Sequence, residues 1–344
     1  MEIRTGFPFR GKMLNELRSF LAHNGLRYDQ RVSYSLCFVE NDVIAATGSL
    51  DNNVIKCIAV SKDFQERGLA AGVVSGLIEE AARNGVFHLF LFTKLENELL
   101  FGNLGFYTVA KTADVLLMEN KKNGISGFVA SLQRNTGNSA GVMTAENASG
   151  GAGKTGAVVM NCNPFTNGHR YLIETAAGQC GILHIFVVSE NRSVFPADVR
   201  YRLVKAGSSH IPHALIHPTG PYLISAATFP DYFFKDTVDP QKVNTTLDLT
   251  IFAEHFARPM GINCRFVGTE PFDQVTAGYN RRMKEFLPHY AIEVIEIDRL
   301  ERGGRAISAG RVRELYTEGK MEEIRKMVPE ATFEFLNGEQ EVSC

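Results

Sequence analysis

The sequence predicts an α/β protein in two parts, the second built on a doubly wound parallel sheet. Three observations carry this. In the second half, short and wholly apolar runs alternate with segments of helical period, as strands covered on both faces require. The run Val158-Val159-Met160 ends before Asn163-Pro164, turns through Thr166-Asn167-Gly168 and enters a helical pattern at His169. In the first half, another strand, loop and helix follow one another from Val54 to Ile78, and a stretch of small residues separates the two halves.

Val54 to Val60 alternates in part and reads as a strand. Gln65-Glu66-Arg67-Gly68-Leu69-Ala70 follows it, then a helix with Leu69, Val73 and Leu77 on one face and Val74 and Ile78 beside them. His88 to Thr93 is the next strand and Glu96 to Leu104 the next helix, ending in Gly105-Phe106-Tyr107. From about Asn135 to Gly156 the chain is small, polar and glycine-rich, the composition of a flexible connection. The expected division is therefore 1–134, a linker 135–156, and 157–344. Gly153-Lys154-Thr155 looks like the end of a P-loop, but residue 148 is Ala where that motif needs glycine, and the segment precedes a strand.

After His169 the second half places Leu172, Ile173, Ala176 and Ala177 on one helical face. Leu183 to Ser189 is a strand and Asp198 to Gly207 a helix. Further strands are expected near Leu215-Ile216-His217, Arg265 to Gly268 and Val294 to Ile297. Ligands of such sheets bind beyond the carboxyl ends of the strands, where the Asn163–His169 loop falls.

Composition sets bounds. The 344 residues, 44% hydrophobic and 22% charged, suit two soluble domains. A net charge of −2 gives no electrostatic reason to bind nucleic acid or membrane. Without a membrane-length apolar run or a signal-peptide core, the expected location is the cytoplasm. The six cysteines, 37, 57, 162, 180, 264 and 344, form no C-x-x-C pair and are expected as free, mostly buried thiols.

Backbone N–H groups at a helix N-terminus lack intrahelical partners and favour a phosphate. His169, in the first turn, aims at the same place, Gly168 lets the backbone approach closely, and Asn163-Pro164 shapes the turn. Alone, His169 would be an ordinary surface residue of a βα turn; the strand before and helix after raise the match. Thr166-Asn167-Gly168-His169 resembles the (H/T)-x-G-H signature of the nucleotidylyltransferase superfamily. Ile307-Ser308-Ala309-Gly310-Arg311-Val312-Arg313 resembles its I-S-x-T-x-x-R signature, with Gly310 where Thr is usual. Ser308 suits a helix cap, and Arg313 suits the phosphates of ATP. Gln65 to Ala70 resembles the acyl-CoA loop of the GNAT acetyltransferase superfamily, in which amides before a helix hold a pyrophosphate.

A GNAT-like half followed by a nucleotidylyltransferase half resembles the citrate lyase ligases. The likeness extends over essentially the whole chain and includes Asn161 to Leu172, Ala227 to Pro230, Arg265 to Phe272, Val275 to Ala277 and Ile307 to Arg313. It implies a ligase that uses ATP and acetate to acetylate the prosthetic-group thiol of the citrate lyase acyl carrier subunit, releasing AMP and pyrophosphate. His169, Thr166 and Arg313 are then the expected catalytic residues. Asn163, Pro164, Phe165, Gly168, Arg200, Gly268, Thr269, Glu270, Ile307 and Ser308 are expected around ATP, with Mg²⁺ carried on the phosphates and no metal ligands from the protein. Gln65, Arg67, Gly68, Leu69 and Ala70 are expected at the coenzyme A-like arm. The residues by themselves also suit an adenylyltransferase acting on a phosphorylated pantetheine or nicotinamide precursor, an acetyl-CoA-dependent transferase with a nucleotide-sensing half, or a scaffold.

Other chemistry-bearing residues have plainer readings. His210, His213 and His217 have helical spacing, but Pro212 and Pro218 interrupt it. Cys162 lies beside the motif without a base, and is expected to pack. Lys320 to Lys326 reads as a solvated helix face.

Overall fold

The computed structural model of the chain describes residues 1–140, 153–191, 193–225, 227–228, 240–271, 273–302 and 304–338. Phe229, Pro230 and Phe272, which carry part of the resemblance, lie outside the described residues, as do Cys344 and the middle of the expected linker, 141–152. The chain forms two units, Met1–Ile125 with Ala226–Thr250, and Ser126–Ser225 with Ile251–Cys344.

The first unit runs β1 (Glu2–Gly6), α1 (Gly11–His23), β2 (Tyr34–Glu40), β3 (Val43–Asp51), β4 (Val54–Val60), α2 (Leu69–Arg83), β5 (Phe90–Thr93), α3 (Glu98–Asn103), β6 (Tyr107–Lys111) and β7 (Leu116–Glu119). Its sheet order is β1-β2-β3-β4-β5-β7-β6. Adjacent residues of β2 face opposite sides of the sheet. Leu36 packs with Val73 and Leu77 of α2, and Cys37 packs with Leu17 and Leu21 of α1. Burying one such leucine contributes about 1.5–3 kcal/mol.

Every neighbour pair in this sheet is antiparallel except β4 with β5. That parallel pair touches only at Val54 with Phe90 and Ile55 with Leu91. Cys57 then takes φ 54° in a register shift against β3, a bulge that turns β4 aside. The two strands part and leave a cleft of ≈ 600 Å³ between them. This is the GNAT-like arrangement expected of the first half.

The expected linker is shorter in the structure. Helix α4 (Gly124–Ala140) runs into it, and β8 (Thr155–Met160) begins before its end. The second unit continues with α5 (Asn167–Ala177), β9 (Ile182–Val187), α6 (Ala197–Gly207) and β10 (Ala214–Pro218); the next helix, α7 (Pro240–Ile251), belongs to the first unit as far as Thr250. A π-helical segment, Phe252–Ala257, leads to the short α8 (Arg258–Met260). Then come β11 (Cys264–Gly268), α9 (Gln274–Phe286), β12 (Glu293–Ile297), the short β13 (Glu301–Arg302) and β14 (Arg305–Ala306), α10 (Ala309–Thr317), α11 (Met321–Arg325) and α12 (Glu330–Leu336). The five main strands are parallel in the order β10-β9-β8-β11-β12. Ile173 and Ala176 of α5 and Leu203 of α6 pack with Val158, Ile185 and Phe266 on one face. Phe186 meets Phe252 and Phe256 on the other. The sheet is thus doubly wound, as expected.

A histidine pair is one polar feature of this core. His184 Nδ1 and His217 Nε2 lie 2.9 Å apart, both buried. Burial pushes both pKa values down, and the charge of His184 adds to the effect on His217. The unfolded chain takes up protons at about pH 6.5 that the folded pair refuses. Stability is therefore present above that pH and is lost as pH falls below it. Urea unfolding of the wild type should show a lower midpoint at pH 5 than at pH 7.5. Replacing both residues by Gln should shrink that difference; an unchanged difference would refute the assignment.

Candidate active site

The carboxyl ends of β8, β9, β11 and β12 lie along one edge of the second sheet, and the expected motifs converge there. Thr166 is the N-cap of α5 with extended backbone, so the helix starts at Asn167, two residues before His169. Its hydroxyl accepts the His169 N–H at 3.4 Å, and its own N–H donates to His169 Nδ1 at 3.1 Å. This is a capping box with histidine in the place usually held by Glu or Gln. Because Nδ1 accepts a backbone N–H, a neutral imidazole there carries its proton on Nε2. Burial, then the charge of Arg299, pushes the His169 pKa down to about 4. At neutral pH the ring is an uncharged donor.

The ring is held on its flank as well. Phe165, fully buried, stacks against it at 5.9 Å between centroids. Thr166 is buried and engaged with His169, so it positions the imidazole. Gly168 has a different reason from the expected one. A Cβ there would lie 2.9 Å from the Ile307 carbonyl, so the absence of a side chain lets the second motif close on the first. The Asn163–Pro164 peptide is cis. Asn163 Oδ1 accepts the Phe195 N–H at 3.0 Å, and its carbonyl accepts Arg313 Nη1 at 2.5 Å. Ser308 caps α10 by accepting the Arg311 N–H at 3.2 Å, as its position predicts.

Arg200 is a correction. Its side chain is fully buried. Nε donates to Phe195 O, Nη1 to Asn161 O, Asn161 Oδ1 and Val188 O, and Nη2 to Glu190 O, all at 2.7–3.0 Å. A guanidinium so occupied ties the strand ends together and does not reach a phosphate. Gly268, Thr269 and Glu270 are also engaged within the protein. Gly268 O accepts Asn280 Nδ2. Thr269 and Glu270 hold Arg299, which sequence reasoning missed: its N–H donates to Thr269 Oγ1 at 3.2 Å, Nε to Thr269 O at 2.6 Å, and Nη2 to Glu270 Oε2. The available signal was its place two residues after β12, at the edge where ligands of parallel sheets bind.

The plain readings of other residues hold. His210 meets Glu174, His213 meets the Ala177 carbonyl and His217 meets His184, so the three do not converge. Cys162 is buried, and burial raises its thiol pKa. The other described cysteines are likewise free and buried. Among the described residues no helix is long and apolar enough to cross a membrane.

In the first unit, Gln65, Gly68, Leu69 and Ala70 line the cleft between β4 and β5. Gly68, at φ 71°, starts α2 without a side-chain cap. Arg67 turns away to Glu40 at 3.2 Å and lies over the Phe64 ring, so it is not among the residues that face the cleft.

Comparison with known proteins bears directly on this arrangement. The family model of the citrate lyase ligase C-terminal domain matches residues 155–336. The citrate (pro-3S)-lyase ligase of Escherichia coli strain K12 is 39% identical over 333 residues, covering 94% of this chain and 90% of its own. The chain belongs to the citrate lyase ligase family. The Klebsiella pneumoniae ligase is 40% identical over 300 residues, covering 85% of this chain and 83% of its own. The Haemophilus influenzae ligase is 35% identical over 334 residues, covering 94% and 95%. The chain is therefore an enzyme, a ligase of ATP-dependent adenylylation and acylation chemistry.

The correction at Arg200 is testable. Arg200→Ala leaves four backbone carbonyls without their buried donor, at about 1–3 kcal/mol for each unsatisfied group. Thermal melting should fall sharply, and any loss of ATP affinity should follow that loss of structure. A normal melt with weakened ATP binding would restore the expected phosphate role.

Proposed function

We propose that this ligase joins acetate to the thiol of the coenzyme A-like arm on the citrate lyase acyl carrier subunit, through acetyl-adenylate. The observation that supports this most is the Thr166–His169 capping box, which presents one neutral Nε2–H donor beside the second motif. Acetate is a poor acyl donor because its leaving group would be oxide. Attack of its carboxylate oxygen on the α-phosphorus of ATP forms a phosphorus–oxygen bond and releases pyrophosphate. The arm's thiolate then attacks the acetyl carbon, and the carbon–oxygen bond breaks to release AMP; the thiol proton goes to solvent.

Such chemistry asks the protein to position reactants and stabilise charge on phosphate oxygens. His169 Nε2–H would donate to the α-phosphoryl oxygen as charge builds there. Ser308 and Arg313, at the start of α10, would face the β- and γ-phosphates. Mg²⁺ would be carried by the phosphate oxygens; among the described residues no group of three His, Cys, Asp or Glu is arranged to hold a metal ion.

The cleft of the first unit suits the arm. Its ≈ 600 Å³ lie between β4 and β5 and open at the uncapped start of α2. Backbone N–H groups there would meet the arm's phosphates, and Gln65, Gly68, Leu69 and Ala70 would line the approach.

His169→Ala should lower acetate-dependent exchange of pyrophosphate into ATP by roughly 10²–10³-fold, measured on the folded fraction because the variant also loses the capping contact with Thr166. Because the ring works uncharged, wild-type exchange should show no imidazole inflection near pH 6.5. Near wild-type exchange by the alanine variant would refute its role. Ala70→Glu tests the cleft. A carboxylate in the first turn of α2 suits the helix but repels phosphate. The KM for deacetylated lyase should rise roughly tenfold, since about 1.4 kcal/mol of repulsion suffices, and exchange should be unaffected. An unchanged KM would remove the arm from this cleft.

A further inference from the structure

We propose that Arg299 is the cation that binds the phosphoryl anion facing His169. The inference rests on the adenylate reading of the site and names a group which that reading lacks. Arg299 lies two residues beyond β12 on the edge of the sheet that carries both motifs. The adjoining Leu300 accepts the Ile307 N–H through its carbonyl at 3.0 Å, and the Ile307 carbonyl closes over Gly168. Arg299 is thus linked through one short segment to the turn that bears His169.

Its guanidinium is held in one orientation. Thr269 O takes Nε at 2.6 Å and Glu270 Oε2 takes Nη2. Glu270 is nearly buried, with 8% of its side chain exposed, whereas Arg299 retains 27%. Among the described residues Nη1 has no protein acceptor. A planar fork fixed along one side and open on the other is pre-organised for an oxyanion. Glu270 orients the cation without touching the anion, because like charges exclude it. Arg299 is also the charge that acts on His169 beyond burial, so the two groups lie within electrostatic reach of one another. Two donors, one neutral and one cationic, then converge where charge develops at the α-phosphorus.

The test uses the full chain with Arg299→Met and Arg299→Lys. Arg299→Met should cut acetate-dependent pyrophosphate exchange by roughly 10²-fold, and Arg299→Lys should recover only part, since an ammonium cannot replace a held fork. An NMR titration should show the His169 pKa raised in Arg299→Met and near its wild-type value in Arg299→Lys, a response that lost packing alone would not give. Should Arg299→Met fail to fold with Glu270 left unpaired, the Glu270→Gln/Arg299→Met double variant removes both charges and carries the same expectations. Exchange within twofold of wild type, or an unmoved His169 titration, overturns the proposal. A wild type that binds ATP yet shows no acetate-dependent exchange would overturn the acetyl-adenylate reading alone. Arg299 is then judged by calorimetric ATP affinity, which Arg299→Met should weaken about tenfold; an unchanged Kd overturns it.

Discussion

Arg200 donates to carbonyls of Asn161, Val188, Glu190 and Phe195, which belong to the chain leaving β8, the chain leaving β9 and the turn into α6. Removing a cation from water is costly unless dipoles replace its hydration, and here backbone oxygens do so. Burial accordingly lowers its pKa. The consequence is mechanical. With Asn161 and Phe195 fixed, Asn163 spans them by accepting the Phe195 N–H, and its own carbonyl faces Arg313. The two motifs, 150 positions apart along the chain, meet through that residue. The capping box at Thr166 is built on a loop that is already held at its base.

How much of this can be read without coordinates depends on the range of each interaction. Thr166, Gly168 and His169 act within one helical turn, so their order along the chain is enough to place them. Ser308 is legible for the same reason. Arg200 is not: an arginine in an amphipathic helix normally reads as surface charge, and its partners come from two other strand ends. Arg299 depends on which strands are neighbours, which local periodicity does not encode. The strands Tyr34–Glu40 and Val43–Asp51 are hard to read from the sequence because both are buried on nearly every residue, Ser35, Thr47 and Ser49 included, and do not alternate. Composition also misled at Asn135 to Ala140, where small polar residues continue α4; intrinsic propensity is a weak prior against its context.

Two helix starts in this chain present different donors. At α5 the side chain of Thr166 takes one N–H and the Met327 carbonyl takes that of Asn167 at 2.9 Å. The helix end is partly closed, and the imidazole becomes the outward donor. At α2 Gly68 supplies a left-handed turn and no side-chain acceptor, so the amides themselves remain available. A side-chain donor can be aimed at a single developing charge. A set of amides spreads its attraction over a larger, static anion. The division suits the proposed roles, chemistry in the second unit and binding of the arm in the first.

The parting of β4 from β5 sets a gauge. Strands in a sheet lie about 4.8 Å apart, and a missing partner leaves a slot of roughly one chain's width between two rows of backbone amides and carbonyls. A slender chain with its own amides can lie there as a strand would, answering the unpaired groups on either side and turning its substituents to the faces of the sheet. Selectivity of that kind comes from backbone spacing, so side-chain drift along the slot would alter its lining while leaving its calibre unchanged.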